Sequence, residues 1–410
     1  MQAIRLKTEH LFEPVGVDFS APRLYWNCDS GIKESAYQII ASDDEGNILW
    51  DSGKVENNSM SAKWGGKPIS SKTKVLWKVR LWDEKNNVGD WTESFFETGI
   101  NIWKADWITG NYKVNRKRRY PVDCFCKKFH TKEVKKARLY ITACGLYEAK
   151  LNGKRIGNFV LAPGITDYRK RVQYQTYDVT GLLSLGENTL TIQLADGWYR
   201  GSTGAWGRRN QYGIETKLMA QLEIVHMDGS EQIILTDDSW DWSNDGSIRF
   251  ADNKDGEVVN AGCIPSYQGK AKCTAHTVVP TASDNVPVTE HERLKACLIC
   301  TPAGKRVLDF GQNIAGYVEF SVKAKEGQKI NLRFGEMLDE QGEFTQKNIQ
   351  CSNRKMTTPL QQVTYNCKEG GNHYKTTFSI FGFRYILIET DVRFTPEDFT
   401  AIAVYSDMER

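Results

Sequence analysis

Apolar and polar residues alternate with a period of two along most of this chain. "AYQIIAS", "VLWKVRLWD", "ARLYITA", "TLTIQLAD", "AQLEIVHMD", "YVEFSVKA", "KINLRFGE" and "FRYILIET" are short runs rich in β-branched and aromatic residues. Side chains two apart lie on one face of a strand, so each run predicts a half-buried β-strand. Turn signals separate them: "DDEGN", "EKNNVG", "LNGKR", "HMDGS" and "LDEQGE", which supply the Gly, Asn and Asp that tight turns require. No stretch carries the 3.6-residue period of a long amphipathic helix. The pattern predicts an all-β protein of antiparallel β-sandwich or jelly-roll domains.

The chain has 410 residues, too many for a single core, and about 100–150 residues per sandwich gives three consecutive domains. Composition changes place a first sandwich at 1–100. A linker at 101–123 holds two tryptophans ("NIWKADWITG") and a basic stretch ("KVNRKRRYP"). A jelly roll is expected over 124–293 and a last sandwich over 294–410. The final segment, "FTAIAVYSDMER", reads as a strand with no closing helix, which points to a polypeptide that continues elsewhere.

Charge and cysteine content narrow the function. Lys and Arg total 54 against 51 Asp and Glu, for a net charge of +3. Spread along the whole length, that balance argues against a nucleic-acid partner. No run approaches the roughly 18 apolar residues of a membrane span, and the N-terminus has no signal-peptide core, so a cytoplasmic protein is expected. The ten cysteines are scattered. The Cys297–Cys300 CxxC and the Cys124–Cys126 CxC fall in strand-like runs, so both read as reduced structural thiols with no metal.

Most carboxylates fall in turns, as Asp43, Asp228 and Asp339 do. The six histidines show no ligand spacing, and no GxSxG, P-loop or GxGxxG is present. "DNKDGE" (Asp252 to Glu257) lacks the distal acid of a calcium loop and reads as a plain turn. No catalytic constellation emerges from spacing. One stretch differs in kind: "LADGWYRGSTGAWGRRN" sets Asp196, Trp198, Tyr199, Arg200, Trp206, Arg208 and Asn210 among glycines. Rings that stack on sugar C–H faces, with Arg, Asp and Asn to bond hydroxyls, are the elements of a carbohydrate site. The same residues also suit a plug that closes a sandwich, and the spacing leaves both open. A second polar-aromatic loop, "PGITDYRKRVQYQTYDVT", offers Asp167 and Tyr168 as further ligands.

"LAPGITDYRKRVQYQTYDVTGLL" followed by "ADGWYRG" strongly resembles the N-terminal region of bacterial α-L-rhamnosidases, glycoside hydrolase family 78. "AYQIIASDDEGNILWDSGKV" and "VLWKVRLWDEKNNVGDWTESFFETG" resemble that family's leading fibronectin-like domain, "WKADWIT" its linker, and "VLDFGQNIAGYVEFSV", "LRFGEMLDEQGEF" and "FSIFGFRYILIE" the β-sandwich that precedes its catalytic domain. The resemblance implies inverting hydrolysis of terminal α-L-rhamnosyl bonds by acids of a C-terminal (α/α)₆ barrel. No helices for such a barrel occur here, so the catalytic carboxylates are expected outside this chain. L-rhamnose or rhamnosylated glycosides and the catalytic domain are the implied partners. The central domain is similar to a rhamnose-binding module that holds its sugar through calcium in some members. Here Arg169 and Lys170 follow the "TDY", and two cations would repel a divalent ion, so no cofactor is expected. A stand-alone lectin and a structural module docking a helical partner are the competing readings.

Overall fold

In the computed structural model, which describes residues 1–31, 33–284, 286–353 and 358–408, the chain is β throughout. Among the described residues the only helical elements are three short turns, Thr180–Leu182, Gly197–Arg200 and Pro396–Asp398. These described residues form no helical barrel. The chain forms two compact units, the first of Met1–Lys104 with Gln175–Asp178 and Thr281–Asn285, the second of Ala105–Tyr174, Val179–Pro280 and Val286–Arg410.

The first unit is a sandwich. One sheet orders Ala3–Thr8, Arg23–Cys28 and Ser61–Lys63, and the other orders Val15–Val17, Thr92–Thr98, Lys74–Asp83, Glu34–Asp43 and Ile48–Asp51. The alternation of "KVLWKVRLWD" is realised directly: Val75, Trp77, Val79 and Leu81 are at most 1% exposed. They meet Trp26, Leu24 and Ile39 in one core. On the opposite face Lys74 lies over Phe95 and Lys78 over Trp91, so even the outward side chains cover apolar surface.

The second unit holds two layered bodies. The jelly roll packs the sheet containing Trp107–Thr109, Lys217–His226 and Val134–Cys144 against one that orders Lys154–Arg155, Leu146–Leu151, Gly186–Ala195, Asp123–Thr131, Asp241–Ser243 and Gly269–Lys270. The last body is built on a ten-stranded sheet whose middle is Lys329–Gly335, Phe381–Thr390, Arg306–Ala324 and Phe399–Ser406. Its core includes Phe320, Phe334, Phe383 and Tyr365.

The two bodies are interlocked. The hairpin Ile248–Asp252 and Gly256–Asn260 leaves the jelly roll and joins the ten-stranded sheet, where Gly256–Asn260 pairs in parallel with Gln362–Asn366. A shared apolar cluster follows, in which Val122, Leu146 and Ala195 meet Tyr317, Phe378 and Ile402. Gly256 is required at the crossing. Its φ is +114°, and a Cβ there would lie 1.7 Å from the Gln362 carbonyl oxygen.

All ten cysteines are free thiols. Cys297–Cys300 is one extended strand paired with Arg306–Asp309. Thiols three residues apart on a strand point to opposite faces, a geometry unsuited to a disulfide or a chelate. Asp252, in the calcium-like stretch, caps its turn by accepting from the Lys254 and Asp255 amides at 3.0 Å each. Its other oxygen takes the Ser202 amide and hydroxyl, each at 2.9 Å.

Candidate functional site

The aromatic loop begins where Gly186–Ala195 ends. Gly197 adopts φ +51°, and its backbone presses against Gly145 and Leu146, leaving no room for a side chain. The short turn Gly197–Arg200 then directs the adjacent Tyr199 and Arg200 side chains inward. Arg200 is 1% exposed. Its Nε donates to Asp196 Oδ1 at 2.7 Å and its Nη1 to the Tyr112 hydroxyl at 2.8 Å. Arg209, from the far end of the loop, donates to Asp196 Oδ2 at 2.8 Å.

Behind Arg200 lies Asp123, 0% exposed, at the start of the strand Asp123–Thr131. It accepts from Trp242 Nε1 at 2.9 Å, the Tyr112 hydroxyl at 3.3 Å and the Thr216 hydroxyl at 3.4 Å. Tyr112 stacks on Trp242 with ring centroids 5.9 Å apart. Burial pushes the Asp123 carboxyl up to about 6, against the opposing pull of Arg200. Burial disfavours charge on Arg200 too, yet Asp196, Tyr112 and Asp123 hold it protonated. Removing charges from water is expensive, and the network offsets that cost by giving Asp196 two guanidinium donors and Asp123 three hydrogen-bond donors, although Arg209 Nε is left without a partner among the described residues.

The other sequence-predicted residues divide into packed and accessible sets. Tyr168 and Tyr199 are buried and meet edge-to-face at 5.3 Å. Tyr168 donates to the Gly164 carbonyl at 2.9 Å. Trp198 is half-buried against the shared apolar cluster, and with the Asn253 amide turned to satisfy its neighbours, Trp198 Nε1 donates to the amide oxygen at 2.8 Å. Asp167 stands apart in its own loop. Arg208 is exposed, and Asn210 donates to the Arg116 carbonyl at 3.4 Å. Trp206 is half-buried in a cleft of about 360 Å³ with Arg119, Ser202, Asp255 and Pro359.

The calcium that the family resemblance implies does not fit these residues. Both Asp167 oxygens accept from Arg169, Nε at 2.9 Å and Nη2 at 3.1 Å. Among the described residues no three His, Cys, Asp or Glu side chains converge to hold a metal. Sequence reasoning missed Asp123, Tyr112, Arg209 and Trp242. Arg209 lies in the aromatic loop between Arg208 and Asn210, whereas Tyr112, Asp123 and Trp242 come from three other segments that no local pattern marks.

Three family models match the chain in sequence order: a Rha78A-like N-terminal immunoglobulin domain over 3–101, an α-L-rhamnosidase N-terminal domain over 132–296, and a bacterial α-L-rhamnosidase concanavalin-like domain over 299–405. The chain belongs to the α-L-rhamnosidase family, as its N-terminal β-domain region. An α-L-rhamnosidase of an Alteromonas species is 32% identical over 93% of this chain and 44% of its own length. One from Streptomyces avermitilis is 39% identical over 62% of this chain and 25% of that protein. The crystal structure of an Aspergillus terreus α-L-rhamnosidase superposes with a TM-score of 0.90 at 28% identity, covering 100% of this chain and 49% of that one. The chain therefore spans about half the length, or less, of the rhamnosidases it matches. The Asp196–Arg200 loop lies inside the α-L-rhamnosidase N-terminal domain match.

Proposed function

We propose that this chain is the non-catalytic N-terminal region of an α-L-rhamnosidase that cleaves terminal α-L-rhamnosyl residues from rhamnosylated glycosides, releasing L-rhamnose with inversion. The observation that carries the reading is the succession, in order, of three rhamnosidase-type β-domains over 3–101, 132–296 and 299–405. Inversion needs a protonated carboxyl and a carboxylate base about 6.5–9.5 Å apart around a water. Asp123 and Glu257, buried carboxyls with raised pKa, are closed off. Glu257 is 1% exposed and accepts from the Tyr374 hydroxyl and the Thr377 and Phe378 amides. Neither has room for a sugar and a water. The acid–base pair is thus assigned to a C-terminal (α/α)₆ domain of the same polypeptide, outside residues 1–410.

The role left to these domains is to scaffold that catalytic domain. Within the aromatic loop, Asp196, Tyr199 and Arg200, with Tyr168 beside them, brace the jelly roll, and saccharide contact falls to the accessible Trp206, Arg208 and Asn210. A reducing, cytoplasmic location accords with exposed free thiols at Cys273, Cys297, Cys300 and Cys351. Reading the coding DNA past codon 410 tests the proposal. It should encode a helical domain whose full-length product converts an α-L-rhamnoside first to the inverted anomer of rhamnose. A full-length product without rhamnosidase activity, or one that retains configuration, contradicts it.

A further inference from the structure

The basic stretch of the linker, unremarkable in sequence, is folded against the aromatic loop. Arg209 Nη1 donates to the Arg118 carbonyl at 3.4 Å and Asn210 to that of Arg116. Lys254 Nζ, from the crossing hairpin, donates to the Gly204 carbonyl at 3.2 Å. Arg119 pairs with Asp255 at 2.5 Å and lies over the Phe250 ring at 4.5 Å. Segments far apart in sequence thereby meet at one loop, where Arg119 lines a cleft and Arg118, Arg208 and Lys254 each adjoin one of its lining residues in the chain. Arg116, Lys117, Arg118 and Arg208 are exposed and form no ion pair among the described residues. Those four unpaired charges exceed the net +3 of the entire chain.

The cleft at the centre of this surface, about 360 Å³, is bounded by the Trp206 ring, Pro359, Ser202 and the Arg119–Asp255 pair. That volume lies at the lower end of small-ligand sites, about 300–1,000 Å³. We propose that it binds one ring of an anionic saccharide chain, with Trp206 under the ring and the surrounding Arg and Lys side chains on the carboxylates or sulfates of neighbouring units. Chemistry favours a saccharide over a nucleic acid. A single aromatic platform beside a carboxylate suits a sugar bearing hydroxyls, whereas single-stranded nucleic acids take successive stacking rings in a uniformly positive groove. Arginine remains charged at all accessible pH values, so while the ligand's acids stay ionised the attraction is set by salt and not by pH.

The test is a binding measurement on residues 1–410, independent of any rhamnoside cleavage, so its failure leaves the enzymatic assignment untouched. Polygalacturonate supplies carboxylates, dextran sulfate supplies sulfates, plain dextran is the neutral control, and duplex DNA is the competing polyanion. At about 50 mM salt the chain should bind at least one anionic saccharide and not dextran, and affinity should fall steeply by about 200 mM. Binding to one arm alone assigns the anionic group. The Arg116→Gln/Arg118→Gln variant, changed only at exposed side chains, should keep its unfolding midpoint and lose about tenfold or more in affinity. Trp206→Ala should weaken saccharide binding about tenfold while leaving any DNA retention unchanged. Absence of binding to both anionic saccharides, affinity unaltered in both variants, or DNA bound as tightly as saccharide with no effect of Trp206→Ala would each overturn the proposal.

Discussion

Arg200 and Asp196, four residues apart across a one-turn helix, form an ion pair at 2.7 Å in which the side chains are 2% and 3% exposed. The pair ties the aromatic loop to Asp123 through Tyr112, so a loop that reads as a ligand site in sequence serves first as an internal brace. Truncating one member of a buried pair strands the other's charge, at a cost of about 3–5 kcal/mol. Arg200→Ala should therefore lower urea-unfolding stability of the second unit by that order. Arg200→Lys should recover only part of it, because an ammonium cannot reach Asp196 and Tyr112 together in the same geometry. A loss below about 1 kcal/mol for Arg200→Ala would show that the network is not a brace.

The raised Asp123 carboxyl gives the fold a specific pH signature. The folded value is about 6 against an ordinary 3.8. Between those values the native state holds a proton that the unfolded chain releases, so this group's contribution falls as pH rises through the window and is flat above it. The ceiling is on the order of 3 kcal/mol. Acids with lowered values, such as Asp245 at about 2, drive the opposite trend at lower pH. The readout is thus the difference between wild type and Asp123→Asn. Subtracting the two stability curves over pH 4 to 7 should isolate the negative slope, and parallel curves would contradict the assignment.

Gly256 permits the exchange of a hairpin between the two bodies of the second unit, since any Cβ would collide with the Gln362 carbonyl. Gly256→Ala should cost at least about 2 kcal/mol from backbone strain alone. Hydrogen exchange should show the loss of protection centred on Gly256–Asn260 and Gln362–Asn366. Unaltered protection there would remove the parallel pairing from the account.

The thiols should divide by burial. Cys297 and Cys300 are exposed on one strand, whereas Cys124 and Cys144 are buried with thiols pushed up to about 12 by desolvation. An aromatic disulfide reagent at neutral pH should modify Cys273, Cys297, Cys300 and Cys351 in the folded protein and reach Cys124, Cys126, Cys144 and Cys367 only on unfolding. Serine at Cys297 and Cys300 should leave stability unchanged. A Cys297–Cys300 disulfide found by mass spectrometry would contradict the strand geometry.

Much of the fold was legible in the sequence because strand periodicity is a local property. In "KVLWKVRLWD" every second residue from Val75 enters the core, and the all-β class follows from many such runs. The family was legible through motifs spread over the chain. The hairpin at 248–260 was not, since nothing local tells a strand which of two sheets it will join. The candidate site was half legible. Asp196 and Arg200 stood out as unusual residues on a Gly-rich loop, but their burial depends on Tyr112, Asp123 and Trp242, whose approach is set by tertiary packing. The stretch Asp123–Thr131 begins with four successive buried residues, so alternation gave no sign that an acid there faces inward. The basic residues at 116–119 read as a solvated linker, and only the fold brings Arg119 beside Trp206.

The most direct measurement is turnover of an aryl α-L-rhamnoside by purified residues 1–410. The account predicts a cooperatively folded protein that releases no aryl alcohol above the uncatalysed rate. Turnover that disappears in Asp123→Asn or Glu257→Gln, with the fold of those variants intact by thermal unfolding, would place catalysis within these β-domains and contradict it.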